Sequence, residues 1–238
     1  MAQFSSATNF FIRQFKKLSL EIILLLLLFI ACCWGLLLVA DMIFEDRNLQ
    51  FDEHIFASIA PHINESNTKI ISFITFFGSQ NFLLPAYLVL ISIFLFYLKK
   101  RRDSFMIVAV SITSTAVLFL LKSLLQRQRP LVPLISRAHG YSFPSGHTFS
   151  SIVFCGILAY IVYKSVQNSL LKWTLIISLF SFAFLIGFSR VYLKLHYASD
   201  VIAGWCLGII WLILAKWILN KMEQTKGLPG LLYQPDRS

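Results

Sequence analysis

The chain has 238 residues, 57% of them hydrophobic and 13% charged, with a mean hydropathy of +0.72. A soluble domain averages about 45–50% apolar and about 25% charged residues, so a water-soluble globule, a disordered chain and a collagenous chain are excluded. The net charge of +10 could suit nucleic acid, but its placement along the chain points to membrane topology and to no nucleic-acid partner.

Charge-free apolar runs occupy residues 22–40, 70–98, 104–121, 148–163, 173–189 and 201–215. A membrane-spanning helix needs about 20 mostly apolar residues. Allowing the shorter runs a residue or two of polar flank, six spans are expected at 19–42, 74–98, 104–124, 145–163, 171–189 and 198–218. The expected fold is all-α, a polytopic six-helix bundle forming one membrane domain over residues 1–238. Arg13, Lys16 and Lys17 precede the first run, which exceeds the apolar stretch of a cleaved signal and reads as a retained span. In the loop that follows, Phe51, Ile55, Phe56 and Ile59 recur at helical spacing, with Asp52 and Glu53 on another face. That pattern suits a short interfacial helix and equally a helix packed on the bundle's external end. His54 and His62 read as surface residues, and Asn64-Glu65-Ser66 as a weakly informative glycosylation match. Gly78-Ser79-Gln80 interrupts the second run, which predicts a short external helix, a break, and then the second span. Cys32, Cys33, Cys155 and Cys206 all lie inside apolar runs and read as core residues with no disulfide framework. Gly227-Leu-Pro-Gly followed by Tyr233–Ser238 reads as an irregular cytoplasmic end.

Cytoplasmic segments near span ends carry excess Lys and Arg. With the N-terminus inside, that face receives thirteen of the 21 basic residues against four acids. Lys99, Lys100, Arg101 and Arg102 fill one very short turn there. Both termini, residues 1–18 and 219–238, are therefore expected in the cytoplasm. Six of the remaining bases, Lys122, Arg127, Arg129, Arg137, Arg190 and Lys194, concentrate around external loops two and three. Snorkelling to lipid headgroups explains any one of them; six together fit an anion site better.

Three polar clusters fall on that same external face. The first is Lys122, six residues, then Arg129-Pro130; the second is Pro144-Ser145-Gly146-His147; the third is Ser189-Arg190, five residues, His196, three residues, Asp200. His196 and Asp200 at i and i+4 share a helix face. A carboxylate there can accept the Nδ1 hydrogen and leave Nε2 as a nucleophile, the orienting logic of the serine-protease triad. Pro144 suits a first helical turn, which would leave the amides of Ser145, Gly146 and His147 as donors at a positive helix end. Arg129 and Arg190 offer planar forks for phosphate oxygens and Lys122 a point charge.

With these clusters, the sequence resembles the type 2 phosphatidic acid phosphatase superfamily of integral-membrane lipid phosphate phosphatases, matching its three-part signature at every fixed position over residues 70–215. The resemblance implies a six-helix core and metal-independent chemistry without a cofactor. It implies His196 as nucleophile, Asp200 as its orienting carboxylate and His147 as general acid. Lys122, Arg129, Ser145, Gly146 and Arg190 become the implied phosphate holders. Arg127, Arg137, His139 and Lys194 lie outside the signature, with Arg127 and Lys194 as possible headgroup contacts. The implied reaction removes the terminal phosphate of a membrane lipid phosphate or diphosphate, such as undecaprenyl diphosphate, phosphatidylglycerophosphate or phosphatidate, through a phosphohistidine. Family members suggest a bacterial inner-membrane enzyme facing the periplasm or cell exterior. A phosphotransferase using the same site is an alternative. A transporter, which would place ionisable groups near mid-bilayer, ranks last.

Overall fold

The computed structural model describes residues 20–44, 49–135 and 140–225. Arg13, Lys16, Lys17, Arg47, Arg137, His139 and the tail from 226 onward lie outside the described residues. Regular structure within them is entirely helical: α1 Leu20–Phe44, α2 Gln50–Ile59, α3 Glu65–Phe76, α4 Gln80–Ser92 with a wider final turn at Ile93–Tyr97, α5 Arg101–Leu125, α6 Gly146–Ser165, α7 Ser169–Tyr192 and α8 Ala198–Thr225.

Six stretches are long and apolar enough to cross a membrane: Ile22–Ile43, Glu65–Tyr97, Arg101–Leu125, Gly146–Ser165, Ser169–Tyr192 and Ala198–Ile218. The chain is an integral membrane protein. Leu24, Leu27, Trp34, Leu37, Leu84, Phe105, Phe119 and Ile177 all point outward and exposed, a surface that lipid tails solvate and water would not. The second span is broken where the glycine predicts it. α3 is capped by Asn64, whose side chain accepts from the Asn67 amide at 2.9 Å, an N-cap that satisfies one orphan donor. It ends before Gly78, where an added Cβ would lie 2.5 Å from Ile186 Cγ2, 2.9 Å from Ser151 Oγ and 3.3 Å from His147 Cβ. The break thus lets the chain pass directly against α6 at His147.

α6 lies between α7 and α8, and α1 runs along α8. Ile152 and Cys155 on α6 are buried in this contact with Ala183 of α7, while Phe149 and Val153 pack in a second cluster with Phe94, Ile107, Val110 and Leu118. α8 approaches α6 through Gly204 and Gly208, four residues apart. A Cβ at Gly204 would sit 2.9 Å from Thr148 Cβ and 3.0 Å from the Ser145 carbonyl; one at Gly208, 2.7 Å from Ile152 Cγ2. Small residues at this spacing let membrane helices pack backbone to backbone. The approach at Gly204 falls near the N-terminal ends of both helices, where the motif residues sit. α2 lays Phe51, Ile55, Phe56 and Ile59 on Val191, Ala198 and Val201 at the adjoining ends of α7 and α8, so it is packed on the bundle end. The four cysteines are free thiols.

Candidate active site

The three clusters converge because α5, α6, α7 and α8 all present the relevant terminus to one end of the bundle. Arg101 and Lys122 stand near opposite ends of the 25-residue α5, so the basic turn before α5 belongs to the other end. α5 closes on Gln126, whose backbone is left-handed (φ 45°) and whose amide donates to the Lys122 carbonyl. The segment then doubles back, and the Ser142 amide donates to the Arg127 carbonyl at 2.8 Å.

His196 sits in the short link between α7 and α8, its amide donating to the Arg190 carbonyl at 3.3 Å. The residue is 1% exposed. Nδ1 lies 3.5 Å from Asp200 Oδ2 and 3.3 Å from Ser142 Oγ, while Nε2 lies 3.0 Å from an Arg129 NH1. A guanidinium only donates, so Nε2 must be the acceptor and the ring proton belongs on Nδ1, facing the carboxylate. Burial, the largest influence, holds the imidazole down to about 4 from its ordinary 6.5; Arg129 and Arg190 press the same way and Asp200 opposes them. At neutral pH the ring is therefore an uncharged base with its lone pair on Nε2.

Asp200 is fixed from every side. Oδ2 accepts from the Tyr197 amide at 3.0 Å and from the Ser142 hydroxyl, and Oδ1 accepts from Arg127 NH1 at 2.6 Å. Ser142 was not among the residues singled out by sequence. Its only signal was a hydroxyl two positions before Pro144, and its role depends on the fold of the loop.

Arg129 faces Nε2, and Arg190 is within electrostatic reach of His196. Arg129 Nε donates to the Gly140 carbonyl at 2.9 Å and NH1 to the Leu195 carbonyl at 2.8 Å, bonds that aim its fork across His196. Burial lowers its proton affinity, with Asp200 opposing. Lys122 Nζ donates to the Tyr141 carbonyl at 2.8 Å, and its stem lies 3.7 Å from where a Cβ on Gly146 would stand. Arg190 is 4% exposed. It donates from NH1 to Thr75 Oγ1 at 2.8 Å, while its buried Nε has no hydrogen-bond partner. His147 is within electrostatic reach of Arg190, His196, Arg129 and Lys122.

Two expectations change. Pro144 precedes α6 instead of opening it: Ser145 is the N-cap, in extended backbone, and Gly146 is the first helical residue. The Ser145 amide also donates to the Asp200 carbonyl at 3.1 Å, so the donors heading the helix are Gly146 and His147. Ser145 Oγ accepts from Thr148 Oγ1 at 2.8 Å, which leaves its own proton to give. Arg127 does not reach outward as a headgroup contact. It bonds Asp52 and Asp200 and lies 4.1 Å over the Tyr197 ring, because two carboxylates in a dry site hold a guanidinium more firmly than water does. Lys194 Nζ stands 5.9 Å from the Phe56 ring centre on α2. Among the described residues, no three His, Cys, Asp or Glu side chains gather as a metal site.

The sequence model of the PAP2 superfamily matches residues 104–223. The chain is 32% identical over 168 residues to phosphatidylglycerophosphatase B of Bacillus subtilis (strain 168), an alignment covering 70% of this chain and 80% of that protein. It is 26% identical over 192 residues to an undecaprenyl-diphosphatase of Sulfolobus acidocaldarius, covering 78% and 84%. The fold is similar to the crystal structure of a transmembrane PAP2-type phosphatidylglycerolphosphate phosphatase from Bacillus subtilis, with a TM-score of 0.74 and 28% identity over 82% of this chain and 96% of that one. The family model covers half the chain and all three clusters, and the first-named relative is matched over most of its own length: the chain belongs to the PAP2 superfamily.

Proposed function

We propose that this protein hydrolyses the terminal phosphate of a membrane lipid phosphate or diphosphate through a phosphohistidine on His196. The observation that carries the reading is the disposition of His196, with Nδ1 toward Asp200 at 3.5 Å and Nε2 toward Arg129 at 3.0 Å. An unprotonated nitrogen facing a cluster of cations is suited to attack on a phosphorus whose oxygens those cations hold. A phosphate oxygen is a stronger acceptor than imidazole nitrogen, so an entering phosphoryl group draws Arg129 off Nε2 and uncovers it. Arg190 Nε, Lys122 and the amides of Gly146 and His147 take the remaining oxygens. Positioning and charge stabilisation supply most of the catalysis in phosphoryl transfer.

Nε2 forms a bond to phosphorus as the bond to the lipid oxygen breaks, and His147 gives its proton to that departing oxygen. His147, now unprotonated, takes a proton from water as the water oxygen attacks phosphorus. The N–P bond breaks, releasing inorganic phosphate and restoring both imidazoles. The apolar tail stays in the bilayer beside the bundle while the headgroup meets the polar end. From the loop charge we also infer that both termini lie in the cytoplasm and that the site faces the periplasm or cell exterior. The relatives' named substrates set the panel: phosphatidylglycerophosphate and undecaprenyl diphosphate, with phosphatidate added.

Phosphate release is measured on the purified full chain in detergent, with and without EDTA, because no carboxylate cluster of Mg²⁺-binding character is found among the described residues. At least one lipid is expected to turn over undiminished by EDTA. His196→Ala is expected to abolish turnover while melting like wild type, and an alkaline quench of wild type to trap phosphate on the protein. Turnover retained in His196→Ala refutes the nucleophile assignment; inactivity on the whole panel refutes the reaction.

A further inference from the structure

The helix α2 carries one buried acid that the phosphatase reading does not use. Asp52 is 2% exposed, although an amphipathic helix at a membrane surface ordinarily turns its carboxylates to water. Oδ1 accepts from the Ser199 amide at 2.9 Å and Oδ2 from the Ser199 hydroxyl at 2.7 Å. Oδ2 also accepts from Arg127 NH2 at 2.9 Å. Arg127 NH1 reaches Ser199 Oγ at 2.8 Å and Asp200 Oδ1 at 2.6 Å. Asp52 thus caps the first turn of α8 from another part of the chain, where a negative charge is favoured, and shares one guanidinium with the carboxylate that orients His196. Phe51, Ile55, Phe56 and Ile59 fasten α2 in that place.

We propose that Asp52 is a positioning residue for the phosphatase reaction: it holds Arg127 on Asp200 and offsets the Arg127 charge, so that Asp200 keeps its negative charge for His196. The inference rests on the lipid-phosphatase reading for its effect on turnover. The charge balance is simple. Arg127, Asp52 and Asp200 together carry one negative charge, which His196 Nδ1 faces. Neutralising Asp52 leaves Arg127 opposed by Asp200 alone, and the net charge facing the imidazole falls to zero. The other charged or titratable groups facing His196 are Arg129 from the segment after α5, Arg190 from α7 and His147 from α6; none is altered by the substitution.

The test compares wild type, Asp52→Asn and the double variant Asp52→Asn/Arg127→Met as full chains in detergent, reading kcat, KM and the titration of His196 by histidine-labelled NMR, with His196→Gln to assign the signal. Asp52→Asn is expected to move the His196 titration down by about one pH unit and to lower kcat by up to about tenfold, the full rate equivalent of that displacement. KM should stay within about twofold, since Asp52 touches no proposed phosphate holder. The double variant removes the orphaned cation as well, so the titration returns toward wild type and part of kcat is recovered. A purely structural Asp52 would lose stability and kcat together, leave the titration in place and make the double variant no better; that pattern overturns the proposal, as does a double variant that fails to fold. Because the titration is read on the protein itself, a wild type inactive on every lipid would refute the phosphatase reading while the Asp52 result still stood.

Discussion

Gly204→Ala is expected to damage the site without touching any charged residue. The new methyl carbon would stand 2.9 Å from Thr148 Cβ, 3.2 Å from Thr148 Cγ2 and 3.0 Å from the Ser145 carbonyl oxygen. Carbon atoms rest at about 3.5–4.0 Å, so α8 and the start of α6 must part by roughly half an ångström to an ångström. Neither neighbour can swing aside: one contact is backbone, and Thr148 is buried with its hydroxyl bonded to Ser145 Oγ at 2.8 Å. The displacement falls on the join between the two halves of the site, where the Ser145 amide meets the Asp200 carbonyl at 3.1 Å. Overpacking of this kind costs about 1–3 kcal/mol of stability. A shift approaching 1 Å between the proposed phosphate cradle and the proposed nucleophile costs on the order of 10² in rate, so kcat is expected to fall roughly tenfold to a hundredfold.

Gly208→Ala is the control that separates packing from placement. It strains the same helix pair one turn deeper, with contacts of 2.7 and 2.9 Å to the Ile152 side chain and 3.4 Å to the Phe149 carbonyl. Both variants are assayed for phosphate release and for thermal unfolding in the same detergent. Gly204→Ala should lose far more kcat than Gly208→Ala for a comparable drop in Tm. Equal losses of activity at equal losses of stability would refute the claim that this contact sets the register of the site.

Ser142→Ala removes the hydroxyl that joins Asp200 Oδ2 and His196 Nδ1; losing a buried hydrogen bond to a charged group, about 1.5–3 kcal/mol, should cost roughly tenfold to a hundredfold in kcat with KM little changed, as steady-state kinetics will read. Acid should destabilise the fold through His196, whose folded-state value near 4 lies below its ordinary 6.5. Between those values the unfolded chain binds the proton and the folded one resists it, so stability falls as pH drops through that window, by at most about 3 kcal/mol. Thermal melts of wild type and His196→Gln across it should converge on the acid side; an unchanged gap between them contradicts the neutral, buried imidazole.

The spans and their break were legible because each depends on a local rule. A charge-free run of about 20 residues has few places to go but the bilayer, and the break at Gly78 announced itself as small and polar residues inside such a run. The separation of Lys122 and Arg129 from the basic turn at Lys99 was readable from helix length alone. What local rules could not supply is pairing at long range. Asp52 looked like one of two acids on the wet face of a surface helix, while Glu53 beside it is indeed exposed. Only the docking of Phe51 and Ile55 on α7 and α8 turns Asp52 inward to Ser199, 147 positions away. Arg127 was ambiguous for the same reason, since a guanidinium beside a phosphate motif reads identically whether it meets a headgroup or a carboxylate. Ser145 was placed on the right helix end, but its amide is taken by a carbonyl of α8 that no spacing rule relates to it. Gly204 and Gly208 were not singled out from the sequence as a close-packing pair; their approach to Thr148 and Ile152 of α6 emerges only in the structure.

The charge left over at this end of the bundle bears on what it holds. Arg127 is matched by Asp52, and Asp200 is the remaining carboxylate among the groups described at the site. Lys122, Arg129 and Arg190 thus stand as three cations against one anion, with His196 neutral. Gathering like charges away from water is unfavourable unless opposite charge is supplied, and backbone carbonyls on Lys122 and Arg129 offer only partial compensation. Before the proton that His147 carries in the proposed reaction is counted, the excess is two positive charges, equal and opposite to the two negative charges of a fully ionised phosphate monoester. Charge matching of that kind favours the phosphoryl group over the neutral or zwitterionic headgroups that crowd a membrane surface, and it strengthens as the phosphoryl oxygens gain charge on the way to the transition state. The same excess explains why Asp52 is kept away from the phosphate side: a second free carboxylate there would cancel the attraction, whereas spent on Arg127 it preserves the asymmetry between an anionic back to His196 and a cationic front.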